Sequence, residues 1–171
     1  MDLKEIFKDV DLPEITGIDF SKMSHAEIAQ LLPSYGGVHP LKGILIDKAT
    51  GKAYGIASGW DVETLTHNGI PLKSGAISPE AAAQAGGSWT ALGNHVEPVA
   101  AAFMRKMGST EGVVYINGRN PCWGTAKAPG CYYKLPEFLA EGSQMSVYNK
   151  YGSDFISAWP ARKFHFTGLP D

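Results

Sequence analysis

The sequence predicts a three-layer α/β sandwich, with a mixed central sheet of about five strands flanked by helices and an N-terminal helical extension. Three observations predict it. From residue 43 onward, β-rich runs and helical stretches alternate in the order hairpin, helix, strand, helix, strand, strand, so that crossover helices join neighbouring strands. The strongest helical stretch, HVEPVAAAFMRKM at 95–107, leads directly into the apolar run EGVVYIN at 111–117. The first 42 residues carry two short helical signals that precede the sheet, which divides the chain into an extension (1–42) and a main domain (43–171).

Each element has its own signal. Leu3, Ile6, Phe7 and Val10 fall at i, i+3, i+4 and i+7, the stripe of a short amphipathic helix over 2–10. Ser24-x-x-Glu27 reads as a capping box opening a second helix that ends near Pro33. Residues 43–58 hold two β-rich runs around a Gly-containing loop at 48–52, a hairpin. Residues 59–93 are turn-rich, except for a short helix opened by Ser78-Pro79-Glu80 and closed by Gly86. In the 95–107 helix, Asn94 reads as the N-cap and Gly108 as the stop, and Pro98 is tolerated because it lies in the first turn. A further short helix is expected at about 133–140, and MSVYNK, DFISAW and KFHFT read as strands.

The composition excludes some classes. A chain of 171 residues with 44% hydrophobic and 19% charged content can bury a real core and is not a disordered polymer. No apolar run approaches the ~20 residues of a membrane span, and the charged start MDLKEIFKDVDLPEI is no Sec signal. Residues 1–97 hold 7 Lys/Arg against 12 Asp/Glu, whereas residues 98–163 hold 8 against 4. A basic second half suits a polynucleotide partner, but the excess is modest and an ordinary solvated surface explains it equally well.

The residues that carry chemistry are His95, Glu97, Cys122 and Cys131. One imidazole and two thiolates make three good zinc ligands, and a catalytic zinc keeps its fourth position open. Glu97 would take a proton from water and return it. Residues i and i+2 converge only at a helix's first turn, where His95 and Glu97 are expected. Cys122 is expected just past a strand end. Cys131 is expected at a helix start, where the positive helix end favours a thiolate. Taken singly, each signal has another reading. Asn94-x-x-Glu97 fits a capping-box variant. The cysteines, the only two in the chain, fit a disulfide across a Gly/Pro-rich loop or two buried thiols as well as a metal site. The joint pattern, His-x-Glu, then a strand, then Pro-Cys, then a Cys at a helix start, favours zinc.

That pattern resembles the zinc nucleobase deaminases. Over about residues 43–168 the chain is most similar to their bacterial toxin branch, which includes a double-stranded-DNA cytosine deaminase toxin. NHVEPVAAAFMRKMGSTEGVVYINGRNPC, LPEFLAEGSQMSVY and FHFTG carry the similarity. The resemblance implies a cytidine-deaminase-like fold, Zn2+ held by His95, Cys122 and Cys131, and Glu97 as proton shuttle. It implies hydrolytic deamination of cytosine to uracil in DNA, single- or double-stranded. Asn117 matches an asparagine that approaches the target nucleotide. Trp123, beside the first cysteine, either stacks on a base or packs on the loop. Trp60 either lines the pocket or packs in the core. The eight-residue gap between the cysteines departs from the usual two. The resemblance further implies a secreted or injected toxin domain, delivered by a non-Sec route into a target cytoplasm. It would act as a monomer and be inhibited by a cognate immunity protein. A deaminase of free cytidine, a nucleotide or RNA is the alternative within enzymes. A non-catalytic module with a structural zinc site or disulfide is the alternative outside them.

Overall fold

The computed structural model describes residues 2–34, 41–118, 130–149 and 162–170. Its helices are α1 (Leu3–Ile6), α2 (His25–Gln30), α3 (Pro79–Ala85), α4 (Ser88–Leu92), α5 (Val96–Met107) and α6 (Cys131–Phe138). Its strands are β1 (Glu14–Ile15), β2 (Lys42–Asp47), β3 (Ala53–Ala57), β4 (Glu63–His67), β5 (Ile70–Ser74), β6 (Glu111–Ile116), β7 (Gln144–Asn149) and β8 (Arg162–Thr167).

The fold is the mixed α/β sandwich the sequence predicts, with more strands than expected. One eight-stranded sheet runs in the order β4-β5-β3-β2-β6-β7-β8, and β1 also pairs with β3. β2 is antiparallel to β3 and to β6. β6 and β7 are parallel, as a crossover through α6 requires. β8 returns antiparallel to β7. The expected DFISAW strand lies outside the described residues.

Alternation along the strands fills two apolar layers, since both faces of the sheet are covered. Leu45, Tyr54, Ile56, Val114, Ile116 and Val147 face the layer under α1 and α3–α6. Ile44, Ala53, Ala57, Leu72 and Tyr115 face the layer that receives Phe20, Ile28 and Leu32. The N-terminal segment therefore enters both layers. Phe7 is fully buried, with its ring 4.4 Å from that of Trp89, and Trp89 is 4.5 Å from Phe138 of α6.

The turn-rich reading of 59–93 is corrected by a hairpin, β4–β5, and by α4. Asn68 and Gly69 make the two-residue turn, with φ of 51° and 78°, both left-handed. β4 was hard to see because Glu63, Thr64, Leu65 and Thr66 are all exposed, so it shows no inside–outside alternation. The hairpin docks through β5, which pairs in parallel with β3 at Ile56 and Lys73. Gly55 permits this approach, because a Cβ there would run into the Pro71 carbonyl. Gly55→Ala is expected to cost more than about 2 kcal/mol, read as a lowered midpoint in urea unfolding. An unchanged midpoint would show that the hairpin is not docked there.

The capping box of α2 forms as expected: Glu27 N–H donates to Ser24 Oγ and Ser24 N–H to Glu27 Oε1, each at 3.1 Å. The N-cap of α5 is His95 rather than Asn94. That one-residue shift bears directly on the site.

Candidate active site

The site forms where the start of β2 meets the ends of β3 and β6, with Lys42 opposite Ala57 and Gly43 opposite Ile116. The first turn of α5 sits on Gly43. A Cβ at this glycine would come within 2.7 Å of Val96 Cγ1 and 3.0 Å of the Tyr115 carbonyl oxygen. Two backbone bonds fix the entry to the helix. Gly59 N–H donates to the Asn94 carbonyl at 2.9 Å, and His95 N–H to the Leu92 carbonyl at 2.9 Å.

With His95 as N-cap, Glu97 falls at the second helical position, so it is not the third-position partner of an Asn94 capping box. His95 has extended backbone angles (φ −77°, ψ 156°), and its side chain makes no capping bond. The imidazole turns instead to Cys131, with Nδ1 3.2 Å from Sγ. Cys131 is the first residue of α6, follows the N-cap Gly130, and is fully buried. Glu97 is 2% exposed, and the Cys131 side chain beside it favours its charged form. Three of the four residues singled out from sequence thus converge. The fourth, Cys122, and its neighbour Trp123 lie outside the described residues.

Burial sets the electrostatics. It pushes the Glu97 carboxyl up to about 7, against the opposing pull of its own backbone N–H and the Cys131 side chain. Burial lowers the His95 pKa, which keeps the imidazole neutral and able to act as a ligand. The N-termini of α5 and α6 meet at the cluster, and both positive helix ends favour negative charge on Cys131 and Glu97.

The donor set suits zinc. In a tetrahedral site a zinc-bound sulfur and nitrogen stand roughly 3.5 Å apart, near the 3.2 Å between Cys131 Sγ and His95 Nδ1. Among the described residues no group of three or more His, Cys, Asp or Glu side chains forms a metal site. His95 and Cys131 are a pair whose expected third member is Cys122.

Asn117 and Trp60 border the same end of the sheet, Asn117 bonded to Lys42 and Trp60 next to Gly59, whose N–H donates to the Asn94 carbonyl. Asn117 is buried just past β6, where its Oδ1 accepts from Lys42 N–H at 2.8 Å and its Nδ2 donates to the Pro33 carbonyl at 2.9 Å. Trp60 is half-buried against the layer under α5. Asn117 also lines a pocket of about 410 Å³ with Pro33, Lys42, Ser58, Glu63 and His67. Sequence reasoning missed this pocket because β4 forms part of its wall. The Asn68-Gly69 pair was the signal that would have revealed the strand. Among the described residues no helix is long and apolar enough to cross a membrane.

A mixed sheet whose crossover helices bring a histidine, a glutamate and a cysteine together at their first turns has the layout of a deaminase domain. A family model described as SCP1.201-like deaminase matches residues 37–161, and the chain belongs to that family. No curated protein matches it.

Proposed function

We propose that this deaminase converts cytosine to uracil in DNA, with zinc held by His95, Cys122 and Cys131 and with Glu97 as the proton shuttle. The observation that carries the reading is the buried convergence of Cys131, His95 and Glu97 at two helix starts. The chemistry a zinc ion supplies in such a site is Lewis acidity, which brings the ionisation of water toward pH ~7. His95, held neutral by burial, offers nitrogen to the metal. Cys131 offers sulfur at the positive start of α6. Glu97 accepts a proton at its carboxylate as water adds to C4 of cytosine. It then delivers that proton to the exocyclic nitrogen, which leaves as ammonia. Water is consumed and uracil and ammonia are formed, so the step needs no other reactant. Burial around Glu97 keeps bulk water from competing for the proton.

Incubation with single- and double-stranded oligonucleotides, followed by uracil detection, tests the substrate. Chelation is expected to abolish uracil formation and added zinc to restore it. Full activity in metal-free protein would remove the zinc reading. Activity that falls steeply with salt supports a polynucleotide substrate. Activity on free cytidine alone would replace DNA by a nucleoside. The similarity to the toxin branch supports the wider proposal of a monomeric toxin domain, delivered by a non-Sec route and blocked by an immunity protein.

A further inference from the structure

α5 and α6 touch at both ends. At their starts Cys131 meets His95, with Sγ 3.2 Å from Nδ1. Toward their other ends the side chain of Arg105, 6% exposed, reaches from α5 to the end of α6. Its Nε donates to the Phe138 carbonyl at 2.7 Å and its Nη2 to the Leu139 carbonyl at 2.8 Å. Phe138 is the last residue of α6 and Leu139 its C-cap. Both carbonyls belong to the group a helix end leaves without an intrahelical partner, where a cation also meets the negative end of the helix dipole. The two helices therefore run side by side in the same direction, joined by a ligand pair at one end and a two-pronged cationic clamp at the other.

We propose that Arg105 is a positioning residue for the active site: by holding the end of α6 it sets how far that helix lies along α5, and so how far Cys131 stands from His95. The planar guanidinium fixes two acceptors at once and admits one axial placement. α6 rises about 1.5 Å per residue, so a slip of one residue would move Sγ by about 1.5 Å, well beyond the ~0.2 Å tolerance of metal–ligand distances. The clamp supplies directional bonds that apolar packing lacks, beside the Leu169 N–H, which donates to the Pro136 carbonyl of α6 at 3.0 Å. Leu135 and Phe138 bury their side chains in the apolar layer that α5 also enters, but those side chains supply no directional bond.

This inference rests on reading His95 and Cys131 as parts of one site, and its test uses the full chain. Arg105→Met keeps the length and the apolar stem while removing the bonds to the Phe138 and Leu139 carbonyls. Arg105→Lys keeps the charge and at most one prong. For Arg105→Met, assayed well below its unfolding temperature, kcat is expected to fall about tenfold or more, with KM changed less than about threefold. Zinc affinity, measured by chelator competition, is expected to fall about 10–100-fold, as for loss of an outer-shell support. Arg105→Lys should recover part of both. Should Arg105→Met fail to fold, the same comparison is made between Arg105→Lys and the parent. Variants that unfold at lower temperature but keep the parent's kcat and zinc affinity would overturn the proposal and leave Arg105 a purely structural cap. A parent protein that is active but binds no zinc overturns the metal reading alone, and the clamp is then judged on kcat and its recovery in Arg105→Lys.

Discussion

Glu97→Gln is expected to abolish measurable deamination while leaving fold and metal content intact. The side chain is 2% exposed, and its partner is Cys131. Glutamine matches glutamate in shape and can still hydrogen-bond, so the pocket should not collapse. It cannot accept and return a proton, and loss of general acid–base catalysis costs about 10²–10⁴ in rate. The measurement is kcat for uracil formation, beside the thermal midpoint and the zinc-to-protein ratio. Retained turnover would sink the shuttle role. Lost turnover together with lost zinc would instead make Glu97 a support of the metal site. A non-catalytic module predicts that nothing measurable changes.

Phe7→Ala is expected to be the most destabilising single change in the N-terminal segment. The ring is fully buried and packs 4.4 Å from Trp89, which in turn contacts Phe138 of α6 at 4.5 Å. Truncating a core phenylalanine costs about 3–5 kcal/mol. For a chain of this size that lowers Tm by about 6–20 °C. Differential scanning calorimetry checks it. A loss under about 1 kcal/mol would show the segment to be a peripheral appendage, despite its place in both core layers. The expected loss is large even though the family match begins at residue 37, after Phe7, Val10, Ile15 and Ile28 have been contributed to the core.

The site was more legible in the sequence than the sheet. Ser24 and Glu27, Pro79 at a helix start, and Gly108 after α5 are local devices, and each acts where local chemistry places it. Cys131 was expected at a helix start, and α6 begins at it, two residues before the expected 133–140. His95 and Glu97 were found through their spacing, although the N-cap fell one residue later than expected. An asparagine at the boundary is a strong local preference, but here the backbone bonds from Gly59 to Asn94 and from His95 to Leu92 set where the helix begins. The edge of the sheet was not legible. β1 has only two residues, and β4 is exposed on both faces, so neither carries a period-two pattern. Their existence depends on pairing with β3 and β5, which is tertiary information. Arg105 could be read only as a polar residue near a helix end, since its acceptors lie 33 and 34 positions away.

The Phe7–Trp89–Phe138 stack has a consequence for synthesis. Phe7 is synthesised well before Phe138, and the β8 strand follows later still. The layer these residues share stays open to water until α6 has emerged. Contacts of such large sequence separation form late and slowly. During translation the emerging chain exposes an apolar face with no cover of its own, a hazard that invites chaperone binding. The packing around α6, the helix that carries Cys131, is therefore completed only when Phe7 and β8 are both in place.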